Sequence, residues 1–179
     1  PKTSQATPAA FEKVFQTVGE EGAVVLTLAS TLSGTYQSAV IAAAEYENIF
    51  VVDTGSAAIG AGILVERALA LAEAGLDAAA VAAKLEQEKA DVTIVALVDT
   101  LEYLKKGGRV SSAVAFAGGI LNIKPVLAVT QGEIKMLGKA RGSKQGNNLL
   151  VQQIEAAGGI DFARPILLGY TGLSDALLL

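Results

Sequence analysis

The sequence predicts an α/β protein in which parallel-sheet βαβ units carry an inserted β-hairpin. Short apolar, β-branched runs alternate with segments of helical periodicity, which is the pattern of βαβ units. After residue 121 the pattern changes to two apolar runs separated by Gln131-Gly132, which indicates a hairpin. At 179 residues the chain is long enough to bury a sizeable core.

Each element follows from a local signal. The first helix is predicted over residues 8–18, because Thr7 suits an N-cap and Pro8 suits the first helical position, where its missing N–H costs nothing. Gly158 and Gly159 are predicted to end the last helix. The other helices are predicted at residues 34–46, 56–74, 77–89 and 144–157, the strands at 23–29, 49–53, 92–98 and 166–170, and the hairpin at 122–140.

Composition excludes several classes of protein. The chain has no His and no Cys, so neither a Ser-His-Asp centre nor a thiolate metal site can be assembled from its residues. The net charge is -4 and the 14 basic residues form no dense stripe, so we expect no nucleic-acid partner. The longest apolar stretch, residues 57–71, is interrupted by charged residues and favours a buried helix over a membrane span.

We expect a cytoplasmic protein, because residues 1–16 lack a basic segment followed by an apolar one. The chain opens in a polar loop without a preceding strand and stops in an apolar run at residues 176–179. Complete domains usually close their helices with recognisable stop signals. We therefore also expect further chain on both sides.

The strongest candidate site is the hydroxyl-rich stretch around Ser33, Gly34 and Thr35, where an apolar strand ends and a helix begins. Open α/β sheets bind ligands at the carboxyl ends of their strands, and the first N–H groups of a helix attract anions such as carboxylate or phosphate. The alternative is that Ser33 only caps the helix.

A second candidate is the short predicted helix that two glycines break ahead of Arg109. Its alternative interpretation is a helix C-cap surrounded by solvated charges. Asp53 and Asp99 each end a predicted strand, but the sequence gives no distance between them and helix capping explains them equally well.

Five segments, taken in order along the chain, resemble the DegV family, whose members include the fatty-acid-binding subunits of bacterial fatty acid kinase. These segments are Thr3-Ser4-Gln5, Leu32-Ser33-Gly34-Thr35-Tyr36-Gln37-Ser38-Ala39, Leu101-Glu102-Tyr103-Leu104-Lys105-Lys106-Gly107-Gly108-Arg109, Asn122-Ile123-Lys124-Pro125 and Lys139-Ala140-Arg141-Gly142. The sequence departs from the family at Ala6, where a Pro is usual, and at Ala58, where a Ser is common.

The resemblance implies a two-domain α/β protein, with residues 1–70 in part of the first domain and residues 71–179 in part of the second. It implies an acyl chain enclosed in an apolar tunnel and a carboxylate held by Thr3 and Ser33, with Gly34 and Thr35 in the same binding loop. Arg109 and Arg141 are implied to lie near the carboxylate or on the surface presented to the kinase.

The predicted function is therefore to bind a long-chain fatty acid and present it to a separate fatty acid kinase subunit, with no metal and no cofactor besides the bound fatty acid. We also predict a transient contact with a membrane surface. Burial of each methylene is worth about 0.8 kcal/mol, which favours an aliphatic ligand in an Ala/Val/Ile/Leu-rich interior. The alternatives are a hydrolase or transferase using Ser33, which lacks an evident activating base, and a structural or regulatory α/β module.

Overall fold

The computed structural model describes residues 3–109 and 122–171, and within these ranges it confirms the α/β class. Six α-helices, five strands and one 3-10 turn (Lys89–Asp91) follow one another along the described chain. The helices are α1 Pro8–Phe15, α2 Thr35–Ala43, α3 Ala58–Glu73, α4 Ala78–Glu88, α5 Glu102–Lys106 and α6 Gly142–Ala156, and the strands are β1 Ala23–Thr27, β2 Ile49–Asp53, β3 Ile94–Leu97, β4 Ile123–Thr130 and β5 Glu133–Arg141.

Strands β1 and β2 form a parallel pair with apolar packing on both faces. Val24 and Leu26 pack with the cluster of Val52, Leu64 and Leu85, which α3 and α4 contribute to. On the opposite face, Val25 packs with Phe15, Ala42 and Ile49, on the side of α1 and α2. Parallel strands covered on both faces read as continuous apolar runs, which explains why the sequence marks both strands clearly.

The predicted strand at residues 92–98 exists as β3, but it does not extend the parallel sheet. It pairs antiparallel with β4, and β4 pairs antiparallel with β5, so the predicted hairpin is confirmed as part of a separate three-stranded sheet. An apolar run specifies a strand but not its neighbour. The side chain of Ile94 lies against Gly60 of α3, and that of Leu97 lies against Gly146 of α6.

The strand predicted at residues 166–170 is wrong: the described backbone there pairs with no strand. The segment instead packs beside α3, with Leu167 against Gly62 and Gly169 against Ile59. Alternate residues point away, and Leu168 is 80% exposed. Its apolar composition matches a strand, but a strand also requires a hydrogen-bonding neighbour, which the composition cannot supply.

The predicted caps are confirmed. The Thr7 hydroxyl accepts a hydrogen bond from the Ala10 N–H at 3.3 Å, and Pro8 is the first residue of α1. Gly158 and Gly159 both adopt positive φ immediately after α6. The predicted domain boundary between residues 70 and 71 falls within α3, and the division stays a prediction. In the part of the chain that the structure describes, no helix has both the length and the apolar character to cross a membrane.

Candidate functional site

The candidate site is built around residues 28–34, the loop between β1 and α2, which we call the Ser33 loop. Ser33 is half-buried, and its Oγ lies 2.8 Å from the Thr35 Oγ1 and accepts a hydrogen bond from the Thr35 N–H at 3.2 Å. The N-cap position itself belongs to Gly34, which has no capping side chain. Ser33 thus satisfies one N–H of the helix start without being the N-cap residue.

The loop between β2 and α3 anchors the first part of the Ser33 loop. The Ala29 N–H donates to the Ser56 carbonyl at 2.7 Å, and the Ser30 N–H lies 3.2 Å from both carboxylate oxygens of Asp53. Asp53 also accepts from the Gly55 N–H at 2.9 Å. Asp53 therefore joins the two loops at the carboxyl ends of β1 and β2, a role that its sequence position left open.

Two contacts from residues distant in sequence anchor the second part of the Ser33 loop. The Thr31 hydroxyl donates to the carbonyl of Gly132, at the tip of the β4–β5 hairpin, and the Gly132 N–H donates to the Gly55 carbonyl at 2.6 Å. The Arg109 Nε donates to the Leu32 carbonyl at 3.0 Å. Residues 29, 30, 31 and 32 are thus each held by a different partner immediately before Ser33.

The segment that contains Thr3 lies beside the same loop. Gln5 reaches across it: the Gln5 side-chain amide donates to the Ser38 Oγ at 3.2 Å. The same amide lies so close to the Gly34 Cα that a methyl group at residue 34 would overlap it. Thr3 itself is exposed, two residues from Gln5. The structure therefore brings the two predicted hydroxyl-bearing segments together through Gln5, a residue with no predicted role of its own.

Arg109 stands at the end of α5, and its side chain also contacts the Ser33 loop. Gly108 has a φ of +72°, and the Arg109 N–H donates to the Leu104 carbonyl at 3.0 Å, which is the geometry of a glycine-terminated helix end. The side chain nevertheless turns back to the Leu32 and Gly107 carbonyls. Arg109 contacts no carboxylate in the described residues, so no ion pair there neutralises its charge.

Arg141 lies elsewhere. It ends β5, occupies the N-cap position of α6, and its N–H donates to the Gln145 Oε1 at 3.2 Å. Its side chain is exposed, and within residues 3–109 and 122–171 no hydrogen bond or ion pair joins it to the Ser33 loop. Asp99, the other acid at a strand end, pairs with Lys124 at 2.5 Å, whereas Asp53 accepts backbone N–H groups.

The described residues supply hydroxyl groups but no activating group at Ser33. Neither a carboxylate nor a lysine amine hydrogen-bonds to its Oγ in the described chain, and nucleophilic serines need such a base. The hydroxyls of Thr27 and Ser56 are buried and have no hydrogen-bond partner among the described residues. Across the same residues, His, Cys, Asp and Glu form no group of three that could hold a metal ion.

Fold and site together define an α/β protein that presents hydroxyl-bearing loops at the carboxyl edge of a parallel strand pair. The model of the DegV family of uncharacterised proteins matches residues 1–177. A DegV domain-containing protein of Caldanaerobacter subterraneus is 35% identical over 167 residues, which cover 91% of this chain and 59% of that protein. The chain belongs to the DegV family.

Solved structures of DegV-type proteins resemble this chain in fold as well. A fatty-acid-binding DegV family protein from Thermus thermophilus is 39% identical with a TM-score of 0.78, covering 87% of this chain and 57% of that one. The fatty acid kinase B3 protein of Streptococcus pneumoniae, loaded with linoleic acid, is 26% identical with a TM-score of 0.76, at the same two coverages. The present chain thus spans somewhat more than half the length of these relatives.

Proposed function

We propose that this protein binds a long-chain fatty acid, holds its carboxylate with the hydroxyls of Ser33 and Thr3, and presents it to a separate kinase that forms an acyl phosphate. One observation carries the proposal: the segments that bear these two hydroxyls meet at the carboxyl edge of β1, where Arg109 contacts the same loop without a carboxylate partner in the described residues. Similarity to fatty-acid-binding DegV structures supports the same ligand.

A carboxylate suits this position physically. The first turn of α2 offers N–H groups and the positive end of the helix dipole, and its N-cap residue, Gly34, has no side chain to cap them. Hydroxyl donors hold the carboxylate, and the positive charge of Arg109 favours an anion nearby. An apolar cavity for the chain would add about 0.8 kcal/mol per buried methylene.

In this proposal the protein is not an enzyme by itself. It positions the carboxylate, and the kinase supplies the nucleotide and its metal ion, as phosphoryl transfer requires. The exposed Arg141 would lie on the surface that meets the kinase. We also infer a cytoplasmic location, since the kinase needs a compartment that supplies a nucleoside triphosphate. Transient contact with a membrane surface stays a prediction, which co-sedimentation with lipid vesicles would test.

Replacing Ser33 with Ala tests the ligand assignment. We expect Ser33→Ala to weaken oleate binding by about 1 to 3 kcal/mol, the cost of leaving a polar partner unsatisfied. Ser30→Ala is the matched control, because Ser30 lies on the same loop but bonds through its backbone. Calorimetric titration gives the affinities, and extraction of the purified protein followed by mass spectrometry identifies co-purified acyl species. Equal affinities in the two variants would remove Ser33 from the site.

Replacing Arg109 with Ala tests presentation to the kinase. The side chain bonds only carbonyl oxygens in the described residues and is exposed, so we expect Arg109→Ala to leave thermal stability nearly intact. Phosphorylation of bound fatty acid by the cognate kinase should fall. Lys105→Ala is the control, because Lys105 is an exposed cation on the adjoining helix α5. Full kinase activity with Arg109→Ala would leave only the helix-end role.

A further inference from the structure

The tip of the β4–β5 hairpin contacts the two loops of the candidate site, the Ser33 loop and the loop between β2 and α3. Gln131 has a φ of +50° and Gly132 a φ of +77°, the left-handed pair that a tight two-residue hairpin turn requires. Of the two tip residues, Gln131 is exposed and Gly132 is buried. The sequence predicts the turn from Gln131-Gly132 but assigns it no function.

Gly132 is fitted between the two loops at the carboxyl ends of β1 and β2. Its N–H donates to the Gly55 carbonyl at 2.6 Å, and its carbonyl accepts the Thr31 hydroxyl. A methyl group on Gly132 would meet the Thr31 Oγ1 at 2.5 Å and the Ala29 Cβ at 3.5 Å. The tip therefore has no spare room against the Ser33 loop.

We propose that Thr31 is a positioning residue that ties the Ser33 loop to the hairpin tip and so fixes the Ser33 hydroxyl for the ligand carboxylate. This inference rests on the proposed function. Thr31 lies two residues before Ser33, and its side chain is the group that the hairpin tip holds. The hairpin is supported independently of its tip, because its strands β4 and β5 pair with each other, β4 also pairs with β3, and α6 packs against the sheet. Loss of the tip contact should thus shift the loop without unfolding the sheet.

Thr31→Val removes the hydroxyl and keeps the shape of the side chain. We expect oleate affinity to fall about 3- to 10-fold, the value of one hydrogen bond, with the melting temperature nearly unchanged. Thr31→Ser retains the donor and should keep most of the affinity. Thr93→Val is the control for the substitution itself, because Thr93 is exposed and remote in sequence from both loops.

A double-mutant cycle separates positioning from general structural support. If Thr31 acts through Ser33, Thr31→Val should cause little further loss of affinity in a Ser33→Ala background, whereas independent effects would add. Gly132→Ala disturbs the same contact from the hairpin side and should reproduce the affinity loss if Thr31→Val folds poorly. Full additivity, or wild-type affinity in both Thr31→Val and Gly132→Ala, would overturn the inference. Failure of the unaltered protein to bind oleate would instead overturn the proposed function.

Discussion

The parallel pair β1–β2 and the antiparallel sheet β3–β4–β5 contribute differently to the candidate site. The parallel pair provides the loop that carries Ser33 and the strand end that carries Asp53, at the edge where α/β sheets bind ligands. The antiparallel sheet provides an anchor, the Gly132 tip, that reaches those loops from outside. One region carries the hydroxyl groups proposed to hold the ligand, and the other contacts the loop that bears Ser33.

The parallel pair and the antiparallel sheet also differ in how their apolar cores are packed. The parallel pair lies between two apolar clusters, one on each face, with fully buried Leu64 and Leu85 in one of them. The antiparallel sheet buries consecutive residues of β4, Val126 to Ala128, and packs α6 across all three strands. The site therefore lies where the two regions meet, so its geometry depends on their contact as well as on each core.

The largest expected effect comes from the core of the parallel region. Leu85 is completely buried, so Leu85→Ala should lower the free energy of unfolding by about 2 to 5 kcal/mol. Leu69→Ala is the control, because Leu69 on α3 is 59% exposed. Urea denaturation followed by circular dichroism measures both. A single shifted transition would mean that the two regions unfold together, and two transitions would mean that they unfold separately. Equal stability of the two variants would contradict the assignment of Leu85 to the core.

The next effect concerns the contact between the regions. A methyl group on Gly60 of α3 would overlap the Ser56 Oγ and meet the Ile94 side chain of β3 at 3.0 Å. Gly60→Ala should therefore cost about 1 to 3 kcal/mol, as overpacking does. Gly62→Ala on the same helix meets only the Leu167 Cδ1, at an ordinary 3.5 Å, and should gain about 0.5 to 1 kcal/mol from helix propensity. Opposite signs in urea denaturation would support close packing around Gly60, against Ser56 and β3, and equal stability of the two variants would argue against it.

The sequence predicts most elements because their signals are local. Thr7 and Pro8 mark the start of α1, Gly158 and Gly159 mark the end of α6, and Gln131-Gly132 marks the hairpin turn, all within a few residues of the feature they specify. The pairing of β3 is different. The partner of β3 is β4, whose paired residues lie about thirty positions later in the chain. Which strand comes to lie beside β3 is decided only when the chain folds.

The same distinction applies to the candidate site. Ser33, Gly34 and the glycines before Arg109 stand out because a strand or helix ends beside them. Gln5 and Gly132 do not, because their roles consist of contacts with residues 33 and 101 positions away along the chain. A signal for Gln5 was present only indirectly, in a glycine at residue 34, where the neighbouring amide leaves no room for a side chain.

The smallest effect is expected at an ion pair inside the parallel region that does not touch the site. Arg67 of α3 donates two hydrogen bonds to Glu88 of α4, at 2.7 and 2.9 Å. The hydrogen bond from Arg67 holds the pKa of the Glu88 carboxyl below its usual value, and the charge of Arg67 and nearby Lys84 acts in the same direction. Because the side chains of Arg67 and Glu88 are both partly exposed, this ion pair should contribute to the free energy of unfolding only as much as a surface pair does.

We expect Glu88→Gln to lower the free energy of unfolding by about 0.5 kcal/mol at neutral pH. A carboxyl whose pKa is lowered by folding stabilises the protein above its unfolded pKa of about 4.3, and that stability is lost as the pH falls through the lower folded value. The difference between Glu88→Gln and the unaltered protein should therefore be largest near pH 7, shrink below about pH 4 and weaken in high salt. Glu73→Gln, an exposed acid at the end of α3, is the control. Urea denaturation at several pH values measures the difference, and a difference that grew towards acid pH would contradict the lowered pKa. Oleate affinity at neutral pH should be the same in both variants, because this ion pair lies outside the contact between the two regions.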